Sequence, residues 1–302
     1  MEKNIIFHID GGFGKNIMAT AVVKAMKKQY PDRNIIIVTA WEDAWTNNPN
    51  VHRIYRFGQQ TYFFDTYIKG CDSLVFMHDP YHSEDYIFKK KGLIEIWCNL
   101  FGIRYNNEMP ELFITPREID FARNKYALTA KPIFLMQTFG GGGNQESQYS
   151  WSRDLPFQTA QDIADYFSKD YRVIQVKRED QLGLNGVEPI TAPFRHLFII
   201  LLYSQKRLFI DSFMQHAAAA FGIPSIVTWV TNEPKVFGYD MHTNIISGVP
   251  EEYDTKKYSY LEPYNITGAV SEFPYATTNL FNTEAIIQEL LKDIQYKVPY
   301  VL

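Results

Sequence analysis

Cysteine is nearly absent from this 302-residue chain, which contains only Cys71 and Cys98. Both lie in apolar stretches, and no CxxC pair or Cys/His cluster accompanies them. The sequence therefore predicts neither a disulfide framework nor a metal site. We expect reduced thiols in a cytoplasmic protein that has no resident cofactor.

Long apolar runs and excess positive charge are also missing. No apolar run approaches the roughly 18 residues that a transmembrane helix needs, and the first strand carries Glu2 and Lys3 rather than the features of a signal peptide. The net charge is −4, so no overall cationic field exists to hold a polyanion. We expect no transmembrane segment, at most peripheral membrane contact, and no preference for nucleic acid.

Strand-like and helix-like segments alternate from the first residues, apart from 249–280, which show no clear periodicity. This alternation predicts an α/β protein with parallel sheets. The length exceeds what one hydrophobic core usually serves. A first series has strands at 4–9, 34–39, 51–57 and 73–78, with long helices at 15–29 and 84–101. A second series has strands at 133–138, 172–176, 207–210 and 225–230, with helices at 156–168, 194–203, 213–221 and 283–294. We expect two Rossmann-like α/β/α domains, 1–128 and 129–302, facing each other across a cleft, with a C-terminal helix able to pack back on the first.

The segment 211–224 is typical of a phosphate-binding βα unit. A polar turn at Asp211 leads directly from an apolar strand into a helix rich in alanine. Gly222 ends that helix, and Pro224 starts the return into the next strand. The amino-terminal end of such a helix offers backbone N–H groups and a positive dipole to an anion. His216 lies in its first turns. Alternatively, Asp211 and Ser212 cap a structural helix and His216 is a hydrogen-bonded core residue.

One glycine loop follows the first strand of each series, at 11–14 in the first series and at 140–143 in the second. Neither has the complete spacing of a P-loop or of a dinucleotide-binding fingerprint. The loops disfavour a nucleoside triphosphatase and a dehydrogenase, and they fit close approach of backbone to a ligand.

These landmarks together resemble the heptosyltransferase-type glycosyltransferases, the ADP-heptose:lipopolysaccharide heptosyltransferases, which have the GT-B fold. The similarity runs in the family's order from residue 5 to about residue 240. It is carried by GFGKNIMATA (12–21), KQYPD (28–32), TNNPNV (46–51), WSRDLP (151–156), IDSFMQHAAA (210–219), GIP (222–224) and NEP (232–234).

The resemblance implies transfer of a sugar from a nucleoside-diphosphate sugar to a glycan or lipid-linked saccharide without a metal ion. The donor would lie mainly on the second domain and the acceptor on the first. Arg153, where the family has lysine, would hold a phosphate. The residues expected to bind the donor or its phosphates are Gly12, Gly14, Thr138, Gly140, Gly141, Arg153, Asp211, Ser212, Phe213 and His216.

Two positions depart from the family's pattern. Phe213 replaces a glycine after the Asp-Ser pair. Lys15 replaces the aspartate proposed as general base, and a protonated lysine cannot accept a proton. Asp10 and His8 share one face of the first strand's end and are the leading catalytic candidates, while His78 and Asp79 follow the fourth strand. Lys15 itself is either an anion contact or a solvated residue of the first helical turn.

Three functions stay open on the sequence. The first is the glycosyltransferase acting on a glycan. The second is a glycosyltransferase acting on modified DNA bases, which would need a basic face, built from Lys24, Lys27, Lys28 and 89–91. The third is a sugar-nucleotide-binding protein that lacks catalytic activity.

Overall fold

The structure is a computed structural model that describes residues 1–140, 153–248 and 280–292. The chain divides into two compact units, Met1–Phe113 and Ile114–Leu302. Each contains one all-parallel sheet with helices, so the predicted α/β fold class is confirmed.

The first unit is a four-stranded sheet in the order β3-β2-β1-β4. Its strands are β1 (Lys3–Ile9), β2 (Asn34–Thr39), β3 (Arg53–Arg56) and β4 (Asp72–Phe76). Its α-helices are α1 (Phe13–Gln29), α2 (Phe63–Tyr67), α3 (Glu84–Ile87) and α4 (Leu93–Leu100). Short 3-10 turns lie at Glu42–Ala44 and Pro80–His82.

Apolar side chains cover both faces of this first sheet. On one face the Phe7 ring packs edge-on against Trp97 of α4, with ring centroids 5.4 Å apart. On the other face Ile6 and Ile36 pack with Tyr67 of α2. Two-sided burial explains why β1 and β2 are continuous apolar runs rather than alternating ones.

The prediction of a single helix over 84–101 is wrong in one respect, because the segment forms two helices. α3 ends at Ile87, Lys89 has a positive φ of 50°, and Gly92 precedes α4 in an extended conformation. Lys89 in the left-handed region cannot continue a right-handed helix.

The second unit is a six-stranded sheet, within its described residues, in the order β10-β9-β8-β5-β6-β7. Its strands are β5 (Ile133–Gln137), β6 (Arg172–Val176), β7 (Glu188–Ile190), β8 (Ser204–Ile210), β9 (Ile226–Trp229) and β10 (Thr243–Ile246). Its helices are α5 (Pro116–Lys125), α6 (Phe157–Phe167), α7 (Phe194–Tyr203), α8 (Phe213–Ala220), α9 (Pro234–Phe237) and α10 (Thr283–Leu291).

Helices α5 and α10 both pack within this second unit. Glu118 of α5 pairs with Arg195 of α7 at 2.5 Å, whereas the sequence pattern predicts α5 as part of the first domain. Ile286 and Leu290 of α10 are buried in the core that also contains Phe134 of β5.

The strand order places a topological switch point in each unit. In the second unit the order matches the doubly wound nucleotide-binding arrangement, with the reversal between β5 and β8. In the first unit the equivalent reversal lies between β1 and β4. Ligands of such sheets bind outside the carboxyl ends of the strands at these points, so the residues that follow these four strands define the candidate sites.

Candidate functional site

Hydrogen bonds link the end of β5 to the turn after β8 at the switch point of the second unit. Gln137 Nε2 donates to Ser212 Oγ at 2.9 Å, and the Met214 N–H donates to Gln137 Oε1 at 3.3 Å. The Ser212 hydroxyl therefore does not cap α8, although Ser212 occupies the N-cap position. Gln137 holds the first turn of α8, a role that the sequence did not indicate.

The backbone after β5 is fixed by buried polar side chains. The Gly140 N–H donates to Asp154 Oδ1 at 2.8 Å, and Gln181 Nε2 donates to the Gly140 carbonyl at 2.6 Å. The Arg153 guanidinium carbon lies 3.8 Å from the place where a Gly140 side chain would begin. A Cβ at position 140 would therefore be in ordinary van der Waals contact with the guanidinium.

Asp211 lies buried at the end of β8, where it faces Arg153 and Asn232. Asn232 Nδ2 donates a hydrogen bond to Asp211 Oδ2. Burial raises the pKa of Asp211, and the positive charge of Arg153 and the Asn232 bond oppose that rise. The resemblance pointed to Asp211 and Arg153, but Asn232 as their neighbour follows only from the tertiary structure.

His216 is enclosed by neighbouring side chains. The residue is 4% exposed, its Nδ1 lies 3.0 Å from the Tyr239 hydroxyl, and its Nε2 lies 3.3 Å from Gln215 Nε2. Burial, followed by the neighbouring His242, lowers the pKa of His216 to about 3, so the ring is neutral at pH 7. This environment matches the core-histidine alternative.

The other residues expected at the donor have varied surroundings. Thr138 is fully buried and accepts a hydrogen bond from Gln175 Nε2 at 2.9 Å. The half-buried Phe213 ring packs edge-on against Phe194, with centroids 5.1 Å apart. Gly141 lies outside the described residues.

In the first unit an exposed turn separates β1 from α1. Asp10, Gly11 and Gly12 are all exposed, and Gly11 has a φ of 97° that favours glycine. The Asp10 carboxylate lies 3.9 Å from His8 Nδ1, and its side chain is 67% exposed. The predicted proximity of His8 and Asp10 is thus observed at this end of β1.

Gly12 and Gly14 begin α1 at the same turn. Gly12 is the N-cap in an extended conformation, and its carbonyl accepts a hydrogen bond from Asn16 Nδ2 at 3.2 Å. Gly14 is half-buried. The first turn of α1 contains no acidic residue, so Asp10 supplies the carboxylate at this turn.

Lys15 is buried beneath this turn, and it spans the switch point of the first unit. Its Nζ lies 2.5 Å from Asp79 Oδ2, after β4, with the two side chains 4% and 27% exposed. The ammonium also lies 4.4 Å from the Tyr81 ring centre and 5.4 Å from that of Trp97. Burial lowers the pKa of Lys15, and Asp79 opposes this effect. Lys15 is therefore not a solvated helix residue.

Asp79 makes a second bond that the sequence did not indicate. Its Oδ1 accepts the Tyr81 N–H at 2.9 Å, which starts the turn Pro80–His82. Both carboxylate oxygens are thus engaged, one by Lys15 and one by the backbone. Asp10, by contrast, lies beside His8 within the electrostatic influence of Lys15, and most of its side chain stays open to solvent.

No group of three or more His, Cys, Asp or Glu side chains in the described parts of the chain is arranged to hold a metal ion. In the same parts, no helix combines the length and apolar character needed to cross a bilayer.

No family model matches the chain, and no curated protein matches it. Solved structures do. The glycosyl transferase family 9 protein from Veillonella parvula DSM 2008 superimposes with a TM-score of 0.67 at 14% identity, over 95% of each chain. E. coli ADP-heptose lps heptosyltransferase II superimposes with a TM-score of 0.62 at 13% identity, over 83% of this chain and 92% of that one. The chain has the fold of these glycosyltransferases.

A third match is the iron-containing dodecameric glycosyltransferase TibC from enterotoxigenic E. coli H10407. Its TM-score is 0.57 at 14% identity, over 81% of this chain and 62% of that one. The expected GT-B fold is therefore confirmed. The individual site residues stay predictions, because likeness at this level of identity concerns the fold.

Proposed function

We propose that this protein is a glycosyltransferase that moves a sugar from a nucleoside-diphosphate sugar to a hydroxyl group of a saccharide acceptor. One observation carries the proposal. A fold shared with glycosyltransferases over 95% of the chain coincides with a switch point at which Arg153, Asp211 and the start of α8 come together.

The second unit supplies the donor site in this proposal. Arg153 and the positive end of α8 bind the diphosphate, and Gly140 lets the backbone approach it. Asp211 acts as a positioning residue, because its buried carboxylate orients Arg153 and Asn232. His216 supports α8 from within the core.

The first unit supplies the acceptor site and the base. Asp10 removes the proton from the acceptor hydroxyl as its oxygen bonds to the anomeric carbon of the donor sugar. The bond from that carbon to the phosphate oxygen breaks, and the nucleoside diphosphate leaves with the electron pair. Asp79 is a poorer candidate because Lys15 and the Tyr81 N–H already occupy its oxygens.

We propose that transfer needs no metal ion, since Arg153 and the α8 dipole meet the charge that develops on the leaving diphosphate. Unchanged turnover after EDTA treatment is the expected result. Turnover that is lost with EDTA and restored by one added divalent ion would contradict this part of the proposal.

Donor binding is tested by calorimetry with ADP-, UDP-, GDP- and CMP-sugars, including ADP-heptose. We expect one nucleotide class to bind, and Arg153→Gln to weaken it by about 1–3 kcal/mol, the range for a charged hydrogen bond. Arg123→Gln is the matched control, since Arg123 forms an exposed pair with Asp120 on α5. Equal affinity in the two variants would remove Arg153 from the site.

The base is tested with Asp10→Asn, against Asp65→Asn on α2 as the matched loss of one exposed carboxylate. Asp10→Asn should keep donor affinity and lower turnover by roughly 10²–10⁴-fold. Full activity would exclude Asp10 as the base. A wild-type protein that binds donor and transfers to no acceptor would instead be a sugar-nucleotide-binding protein.

Modified DNA is a weaker acceptor candidate because the lysines that would form a basic face are largely paired. Lys24 lies 3.0 Å from Glu111 and Lys28 lies 2.9 Å from Glu108. Lys90 and Lys91 lie beside carboxylates in the same way. Transfer to hydroxymethylated DNA but to no glycan would overturn the saccharide assignment.

A further inference from the structure

We propose that the acceptor bound by the first unit is an uncharged saccharide packed against Trp41, and that phosphorylated or carboxylated sugars are excluded. The inference rests on the proposed function, because it concerns the acceptor of that reaction. It is carried by charges and rings at the carboxyl edge of the first sheet, defined as residues 10–15, 40–46, 56–60 and 77–83, all of which the structure describes.

At the switch point itself, residues 10–15 and 77–83, Lys15 is the one lysine or arginine, and it is not accessible to an anionic ligand. The Lys15 side chain is 4% exposed and lies 2.5 Å from Asp79. It also fills the space that a side chain at Gly11 would need, with Lys15 Cδ 2.9 Å from the point where a Gly11 Cβ would lie. An anion at this point would have to displace a buried ion pair, which is strongly unfavourable.

The remaining charges at the edge are predominantly negative. Besides Lys15, the edge has one other lysine or arginine, Arg56, whose side chain is 55% exposed and whose Nε lies 2.7 Å from Glu42. Asp10 adds a further carboxylate, and its side chain is 67% exposed. An anionic acceptor would meet this excess of carboxylates and be repelled by them.

Aromatic rings provide an alternative means of recognition at the same edge. The half-buried Trp41 donates its indole N–H to the Gly11 carbonyl at 2.8 Å, and the Phe13 ring packs against it with centroids 5.7 Å apart. The His8 ring lies 4.8 Å from that of Phe57. Rings fixed in this way can pack against the C–H face of a sugar, while polar groups such as Asp10 bond its hydroxyls.

Saturation-transfer NMR on the full chain tests the inference. The neutral probes are the methyl glycosides of glucose, galactose, mannose and N-acetylglucosamine. The charged probes are the 6-phosphates of these four glycosides and the methyl glycosides of glucuronic and galacturonic acid. ADP, UDP, GDP and CMP are added together at saturating concentration. We expect signal from at least one neutral sugar, weaker or no signal from its charged counterpart, and little dependence on salt.

Two variants sharpen the test. Trp41→Ala should abolish the neutral-sugar signal, whereas Phe121→Ala, at an exposed aromatic residue on α5, should keep it. Glu42→Gln releases Arg56 and should strengthen binding of the charged sugars roughly 2–5-fold at low salt. Asp65→Asn removes one carboxylate from α2 and should leave that binding unchanged.

A charged sugar that binds more tightly than its neutral counterpart would overturn the inference, and so would a panel in which no neutral sugar binds. These outcomes are distinguishable from failure of the proposed function. That failure is the absence of sugar-nucleotide binding in calorimetry, which is measured without any acceptor.

Discussion

Changing one partner of the buried Lys15–Asp79 pair should strongly destabilise the first unit. Lys15→Met leaves Asp79 without its cation, although that carboxylate is 27% exposed and can gain water. Asp79→Asn leaves an ammonium that is 4% exposed, beside the Tyr81 and Trp97 rings. Asp79→Asn should therefore be the more damaging single change.

The size of the stability loss in each variant follows from the exposed fractions of the Lys15 and Asp79 side chains. Removal of one partner from a buried pair costs about 3–5 kcal/mol, and we expect Asp79→Asn near the upper end and Lys15→Met near or below the lower end. The double variant no longer buries a lone charge, so its loss should be smaller than the sum by at least roughly 2 kcal/mol. The exposed Asp65–Lys69 pair should show a coupling of about 0.5 kcal/mol or less.

Urea unfolding followed by tryptophan fluorescence measures these free energies. The pH dependence adds a second check. Burial lowers the pKa of Lys15, and loss of Asp79 lowers it further, so the unfolded chain binds more protons than the folded one as pH approaches 10. Asp79→Asn should therefore regain stability relative to wild type as pH rises. Additive losses, or an Asp79→Asn penalty that is constant with pH, would refute the buried ion pair.

Three further outcomes are expected. Burial lowers the pKa values of His216 and His242 to about 3 and about 4. As the pH decreases below 6.5, the free energy of unfolding should therefore decrease by roughly 1.4 kcal/mol per pH unit for each ring. Melting temperatures that stay constant from pH 7 to 5 would contradict this. Gly11→Ala, which combines a positive φ with a 2.9 Å approach to Lys15, should cost about 1–3 kcal/mol in urea unfolding; a neutral result would mean that the turn relaxes freely. Asp211→Ala should weaken donor binding by about 1–3 kcal/mol in calorimetry, whereas Asp162→Ala on the exposed face of α6 should not.

Local patterns are sufficient to predict much of the fold. The helix predicted at 194–203 has those bounds in the structure, and β2 and β6 also agree with their predicted ranges. Gly222 ends α8 as predicted, with its N–H bonded to Ala219 and the Ile223 N–H bonded to Ala218. These features follow from the sequence because apolar periodicity, chain reversal and helix termination depend on neighbouring residues.

Features that depend on distant residues are not predictable in this way. The short strands β7 and β10 escape prediction, since three or four residues become a strand only when the edge of a sheet accepts them. The interruption between α3 and α4 escapes it because Lys89 has no intrinsic preference for positive φ. In both cases tertiary packing outweighs local preference.

The candidate site also has some features that follow from chain order and others that depend on distant residues. The order of residues is enough to show that polar side chains follow β1, β4, β5 and β8, and parallel strands bring such residues to one edge of each sheet. The folded chain was needed to show that Lys15 is buried against Asp79, 64 positions away, and that His216 is enclosed by Tyr239. The charge that a side chain offers to a ligand depends on its partners across the sheet, and chain order does not specify those partners.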